Sequence, residues 1–495
     1  MNTKRKEWKN LIKVLDFGLF VIAAILFAVF SSRREWNQML LCVLYILILN
    51  VVNCFLDFRK KYVLLFMYGC IFTFLLARPL ISLARGNQWR TYSDAAHLFS
   101  LVSLSLSLIF MRIGSEMFAM RKGYEPVERK SLIKRGKVKS NRYATISFVL
   151  FIIFTACAFA YNLYLYISMR GKNYAEVYIR DDLAYPSLLR TLAGFAVYPF
   201  IVYLGFMPSK RKTVLSFFLY FVSVVPYFLI GGRAELVLVV IFFVIYVLFR
   251  HYNDKRERWI NRDRKVMFIL AVPLMIALLG AYGFWREGNN SGFNLWESII
   301  NFFYGQSVSY DVLCAAYETM PSFQAKVSQN FVFGPIIDLF LHGTIAQKIF
   351  GAASLGGNTE YHALYGNSFA ATFAYFWDRT HYLSGHGWGS SYILELYYNY
   401  GYGGIIVYSF LLGYFLVAVK KLIRKGGLGR IFSFIFLNTI FLIPRGEALG
   451  WFVHIFKIQV WIILIICYFF PLWNFGLTKK KKRIRISSKE KIKRR

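Results

Sequence analysis

Acidic side chains are scarce in this sequence: 25 Asp and Glu stand against 60 Lys and Arg over 495 residues. Cysteine is scarce as well, at six residues, and only Cys314 lies outside the long apolar runs. That excludes a disulfide framework, and no Cys/His spacing of the metal-binding kind is present. No glycine-rich phosphate loop with a following Lys appears, and no carboxylate pair has metal-ligand spacing. No internal repeat is visible, which argues against a transporter built from inverted halves. Between the apolar runs, none of the basic connections is long enough to form a domain.

What the chain has is apolar length. It is 57% hydrophobic and 19% aromatic, with a mean hydropathy of +0.45, far outside the soluble globular range. Runs of about 17–22 residues recur, the length that crosses a hydrocarbon core. Twelve spans are expected, at 12–30, 39–56, 62–81, 97–118, 144–166, 191–207, 214–230, 235–249, 266–283, 402–419, 431–443 and 452–472. The first run lacks a small-residue cleavage site and is expected to be span one rather than a signal peptide. The expected fold is an all-α integral membrane protein.

The net charge of +35 would suggest nucleic acid in a soluble protein, but its distribution argues otherwise. Clusters at 4–13, 59–61, 121–142, 210–212, 250–265, 420–430 and 479–495 hold 43 of the 60 basic residues. With twelve spans they all fall on one side. By the positive-inside bias both termini are expected in the cytoplasm, with the basic loops against anionic lipid. No nucleic-acid partner is implied.

The same reading divides the chain into a bundle at 1–283 (spans one to nine), an external loop at 284–401, spans ten to twelve at 402–478, and a polybasic tail at 479–495. The external loop is rich in Trp, Tyr, Asn, Gly and His. Segments 295–304 and 307–317 show helical apolar spacing, whereas 332–341 and 367–376 are apolar but too short to span. These last two are expected to be re-entrant or interfacial. Glycine-rich joints at 351–357 and 385–389 supply turns between the segments.

Four constellations carry candidate chemistry, all on the expected outer face. Gly231-Gly232-Arg233-Ala234-Glu235 and Pro444-Arg445-Gly446-Glu447 each set an Arg two residues before a Glu at a helix junction. Ionised groups at the edge of hydrocarbon are costly, and a guanidinium fork matches phosphate oxygens bidentately. Each Arg could equally pair with its own Glu or reach lipid headgroups. Arg180 lies in an aromatic and charged stretch after span five, and Arg286 sits at the start of the long loop. Arg379, His381 and His386 precede the stretch from Gly387 to Gly404, which holds Glu395. A histidine, or a carboxylate withdrawn from water, can take a proton from a hydroxyl, and aromatic faces suit sugar rings. Those same aromatics would mark a membrane interface with no ligand at all. His97, His342, His362 and His454 are isolated and read as structural. With no nucleotide loop, a donor arriving in the membrane fits better than a nucleotide sugar.

The chain resembles the Wzy-type repeat-unit polymerases of O-antigens, capsules and exopolysaccharides. The resemblance rests on many spans with one dominant late loop, on the Gly-Gly-Arg-x-Glu turn at Gly231 to Glu235, and on Gly389-Ser390-Ser391…Glu395…Asn399-x-Gly401-x-x-Gly404. It implies a GT-C-like, metal-independent glycosyltransferase without a cofactor. Its substrates would be undecaprenyl-diphosphate-linked oligosaccharides, with a chain-length regulator as a further partner. It implies Arg233 and Arg445 as diphosphate clamps, supported by Arg180, Arg379, Arg286 and Glu447, with His386, Glu395 and Glu235 as acid–base candidates. The related O-antigen ligases carry a His near the loop-to-span junction. Here Gly389 takes that place, and the base stays open between His386 and Glu395. A ligase-like enzyme is one alternative. A lipid-linked oligosaccharide flippase is another, disfavoured because the apolar runs are nearly free of charge.

Overall fold

The computed structural model describes residues 2–120, 137–169, 187–254, 257–261 and 294–469. Arg180, Arg286, the expected ninth span and the polybasic tail lie outside these residues. Among the described residues there are helices and no strands. Ten helices among these residues are long and apolar enough to cross a membrane. Eight come first in the chain: α1 (Asn2–Arg33), α2 (Trp36–Leu56), α3 (Phe58–Ala84), α4 (Asp94–Ala119), α5 (Lys137–Met169), α6 (Ser187–Gly205), α7 (Lys210–Leu229) and α8 (Arg233–Asn253). The long loop contributes seven short helices, α9 (Leu295–Gln306), α10 (Ser309–Gln324), α11 (Gly334–Leu341), α12 (Thr344–Phe350), α13 (Glu360–Tyr365), α14 (Phe369–Trp377) and α15 (Arg379–Leu383). Two further long spans follow, α16 (Tyr392–Lys425) and α17 (Gly427–Arg445, its last turn a 3-10 helix). The expected twelfth span appears as a shorter apolar helix at Ile458–Cys467. The structure thus bears out an all-helical membrane protein, with ten candidate spans among the described residues.

The chain forms two compact units. One holds residues 1–130, 244–422 and 439–453. In it α1 packs on α2, α2 on α3 and α4, and α10 on both α4 and α14. Helices α4 and α16 meet backbone to backbone. A Cβ at Gly413 would sit 1.9 Å from the Met111 carbonyl oxygen, and one at Gly114 would sit 2.0 Å from that of Phe410. Small residues permit such contact between membrane helices, where dispersion and close packing drive association. The loop helices close around Phe323, Phe331, Phe369 and Tyr398. Asn399 pins the segment beneath them, since its Oδ1 accepts from the amides of Phe331 and Val332 and its Nδ2 donates to the Gln329 carbonyl.

The other unit holds residues 131–243, 423–438 and 454–495. Here α5 packs on α6 and α7, around an aromatic core of Phe151, Phe200, Phe217, Tyr220 and Phe242. Arg430 Nη1 donates to the Gly205 carbonyl at 2.9 Å, so a basic side chain fixes α17 to the end of α6.

The few charges within the apolar runs lie where helices meet: Arg112 and Asp16, each 3% exposed at the side chain, form an ion pair at 2.6 Å between α4 and α1. One turn further along α4, Glu116 pairs with the buried Lys61 of α3, and Asn53 of α2 donates to the same carboxylate at 2.8 Å. Lys420 of α16 donates to the carbonyls of Arg59 and Lys60. The chain alternates direction, so these groups gather at one end of their helices. Each residue is a single interruption that hydropathy averaging absorbs, and only packing reveals that they face one another.

Candidate active site

A buried polar constellation joins the start of α16 to the turn after α17. Gly389 has φ +83°, a left-handed conformation that reverses the chain ahead of α16. Glu395, in the first turn of α16, has no exposed surface. Its Oε1 accepts from Ser390 Oγ at 3.0 Å, and its Oε2 accepts from the Ala448 amide at 2.8 Å. The Ala448 carbonyl in turn accepts from Trp451 Nε1 at 2.9 Å and from the Tyr408 hydroxyl. The Ala448 backbone is therefore held at both its N–H and its carbonyl, from α16 and from the turn itself. Among the described residues no Lys or Arg pairs with Glu395, and Glu447 brings a second carboxylate into its neighbourhood.

The clamp on Ala448 fixes Arg445 three residues earlier. Arg445 ends the 3-10 turn, is exposed, and donates through Nη1 to Gln306 Oε1 of α9 at 3.1 Å. A Cβ at Gly389 would lie 3.9 Å from the Arg445 carbonyl oxygen, so the two turns abut. The fold thus gathers Arg445, Glu447 and Glu395 in one place. Gln306 and Ala448 are the residues that sequence reading passed over. An amide acting through its backbone leaves no trace in residue type, whereas Ser390 stood inside a motif already noted.

His386 stands apart. Its ring stacks on His381 with centroids 4.3 Å apart, and its Nδ1 lies 3.0 Å from Ser384 Oγ. Its carbonyl accepts from Asn358 Nδ2, which also donates to the Tyr382 carbonyl and so ties the turn to α15. Nε2 has no hydrogen-bond partner among the described residues, and the side chain is half-buried. The neighbouring Tyr382 phenol is pushed up to about 12 by burial, so it stays protonated at neutral pH. Arg379 forms an exposed ion pair with Glu360 at 3.1 Å and lies over the Tyr375 ring. An exposed pair of this kind contributes little stability. Arg233 and Glu235 belong to the second unit, at the start of α8 after the Gly231-Gly232 turn. Among the described residues no group of three His, Cys, Asp or Glu could hold a metal ion.

The sequence matches the O-antigen polysaccharide polymerase Wzy family over residues 11–476, nearly its whole length. The chain belongs to that family. No curated protein and no solved structure matches it. As a member of the Wzy family it is a multi-pass plasma-membrane polymerase of the glycosyltransferase type, making polysaccharide from lipid-linked oligosaccharide repeat units. In this Wzy-family chain the four isolated histidines are all anchored. His97 meets the Tyr310 hydroxyl at 3.1 Å, His342 the Ala353 carbonyl, His362 the Gly357 carbonyl and His454 the Tyr198 hydroxyl.

Proposed function

We propose that this protein joins undecaprenyl-diphosphate-linked oligosaccharide repeat units on the outer face of the plasma membrane, without a metal ion. In the reaction a sugar hydroxyl of the incoming unit attacks the anomeric carbon of the growing chain. The bond from that carbon to the diphosphate oxygen breaks, undecaprenyl diphosphate leaves with the electron pair, and the hydroxyl proton passes to a base. Two tasks fall to the protein: stabilising the departing diphosphate and accepting the proton. Preorganised cations aimed at developing negative charge supply the first.

The observation that carries this reading is the built position of Arg445. Its guanidinium is exposed, its backbone is fixed by the Ala448–Glu395 clamp, and its Nη1 donates to the neutral amide of Gln306. We assign Arg445 to the diphosphate and Glu395 to positioning the turn. His386 becomes the base, since it presents a half-exposed ring nitrogen while Glu395 is sealed from solvent. Arg233, on the Gly-Gly turn, is proposed as a phosphate-binding cation with Glu235 as the acid of its own turn, and Glu447 is the acid of the Arg445 turn. Arg180 and Arg286 are assigned to the glycan-facing surface, and Arg379, tied to Glu360, supports the His386 loop.

The test is a ladder assay with purified protein, the host's lipid-linked repeat unit, a chelator and no nucleotide sugar. Wild type is expected to give a glycan ladder. Arg445→Ala should lower the rate by about 10²–10³-fold, the scale of removing one charge-stabilising donor, with Arg445→Lys in between. Movement of the unit across liposomes without a ladder would replace the polymerase reading with a transporter.

A further inference from the structure

Sequence reading passed over Arg78, near the end of α3, because it interrupts an otherwise apolar run. In the fold it borders a small cleft of about 60 Å³ together with Gln88, Trp89, Thr91, Tyr304 and Asp311. Arg78 Nε pairs with Asp311 Oδ2 at 2.9 Å, and the guanidinium lies over the Tyr304 ring at 4.5 Å. Both side chains keep exposed surface, 30% for Arg78 and 23% for Asp311. Among the described residues the two Nη groups and Asp311 Oδ1 have no protein partner. Hydrogen bonds and ring contacts hold the walls. Trp89 Nε1 donates to Asn37 Oδ1 at 2.9 Å, its ring packs edge-on against His97, and the Ser93 amide donates to Glu318 Oε1.

We propose that this cleft is a saccharide subsite that holds the hydroxyl-bearing edge of one neutral sugar of the repeat unit. The inference rests on the polymerase reading above. Charge argues for a neutral ligand: Arg78 and Asp311 compensate each other, so the pair offers donors and an acceptor without the net positive charge that a diphosphate requires. Volume argues for an edge rather than a ring, since the space equals about two water volumes. Placement argues for a sugar away from the diphosphate. Tyr304 and Gln306 are two residues apart in the last turn of α9, so they project to opposite sides, one toward the cleft and one toward Arg445. Gln88 and Thr91 lie exposed at the mouth, where an amide and a hydroxyl can reach further sugar hydroxyls.

The probe is the host's repeat-unit oligosaccharide released from its lipid diphosphate, titrated calorimetrically into the full-length protein in detergent. Wild type is expected to bind it, and inorganic pyrophosphate should not displace it. Arg78→Ala and Asp311→Asn should weaken binding by about tenfold, the loss of a charge-assisted hydrogen bond. Gln88→Ala and Thr91→Ala, which disturb no packing, should weaken it by about two- to fivefold and decide the matter if the first pair fails to fold. In the ladder assay the same variants should raise KM for the lipid-linked unit and leave kcat in place. Wild-type-like titrations in all four variants, displacement by pyrophosphate, or no binding to wild type at millimolar glycan would overturn the subsite. A wild-type ladder alongside unaffected variants sinks the subsite alone. Absence of any ladder sinks the polymerase reading, while the titration still decides whether the cleft binds sugar.

Discussion

Glu395 holds the Ala448 backbone three residues from Arg445, so the two ways of removing its charge should differ. Glu395→Gln keeps an amide oxygen for the Ala448 N–H and turns an NH2 toward Ser390, whose hydroxyl accepts as readily as it donates. Glu395→Ala leaves that N–H buried and unsatisfied, which costs about 1–3 kcal/mol. We expect Gln to slow polymerisation only a few-fold and Ala to lower both the thermal midpoint and the rate. Equal abolition by both, at unchanged midpoint, would instead make Glu395 the base. His386 calls for the complementary experiment. His386→Asn removes the free ring nitrogen from a loop held by backbone contacts, so it should spare stability and lower kcat by about 10²–10⁴-fold, the usual reach of general base catalysis. A rate within a few-fold of wild type would remove the histidine from the reaction. Gly389 bears on the ligase alternative at the same scale. At φ +83° that position suits glycine and strains a histidine, so the ligase-type residue has no unstrained place in this turn.

The helices carry a different set of determinants. Helix α16 is bent at Gly401, with φ +59° and ψ −157°, and that residue closes the expected loop while Tyr402 opens the expected span. At that bend a run of Tyr, Asn and Gly gives way to continuous apolar sequence. Segments 295–304 and 307–317 were legible in the sequence: their 3.6-residue period survives as α9 and α10. The short apolar stretches at 332–341 and 367–376 appear as α11 and α14. Packing partners were not legible. Gly114 and Gly413 look like ordinary glycines in apolar runs, yet each lies against a carbonyl of the other helix. We therefore expect Gly413→Leu to force α4 and α16 apart and cost most of the folded protein on size-exclusion chromatography. Gly403→Leu, whose Cβ would meet nothing within 4 Å, should be recovered normally. Equal recovery of the two variants would show that the close approach is dispensable.

At the scale of the whole molecule, the ion pairs joining α1, α2, α3 and α4 sit at the ends that the positive-inside bias assigns to the cytoplasm. Arg445, His386 and the Arg78 cleft sit in segments assigned to the opposite side. The proposed chemistry depends on that assignment, because a repeat-unit donor on the outer leaflet can meet only residues that face it. Composition alone carries the prediction: a strip of Lys and Arg resists transfer across the bilayer and stays where the chain was made. The protein's own cysteines are nearly all buried, which leaves a quiet background for labelling. A cysteine at the exposed Lys348 of α12 should react with an impermeant maleimide in intact cells. One at Lys212, at the start of α7, or at Lys425, at the end of α16, should react only after the membrane is opened. The reverse pattern would move Arg445 and His386 to the cytoplasmic side, out of reach of an outer-leaflet donor, and the polymerisation site would then have to be sought among the basic loops.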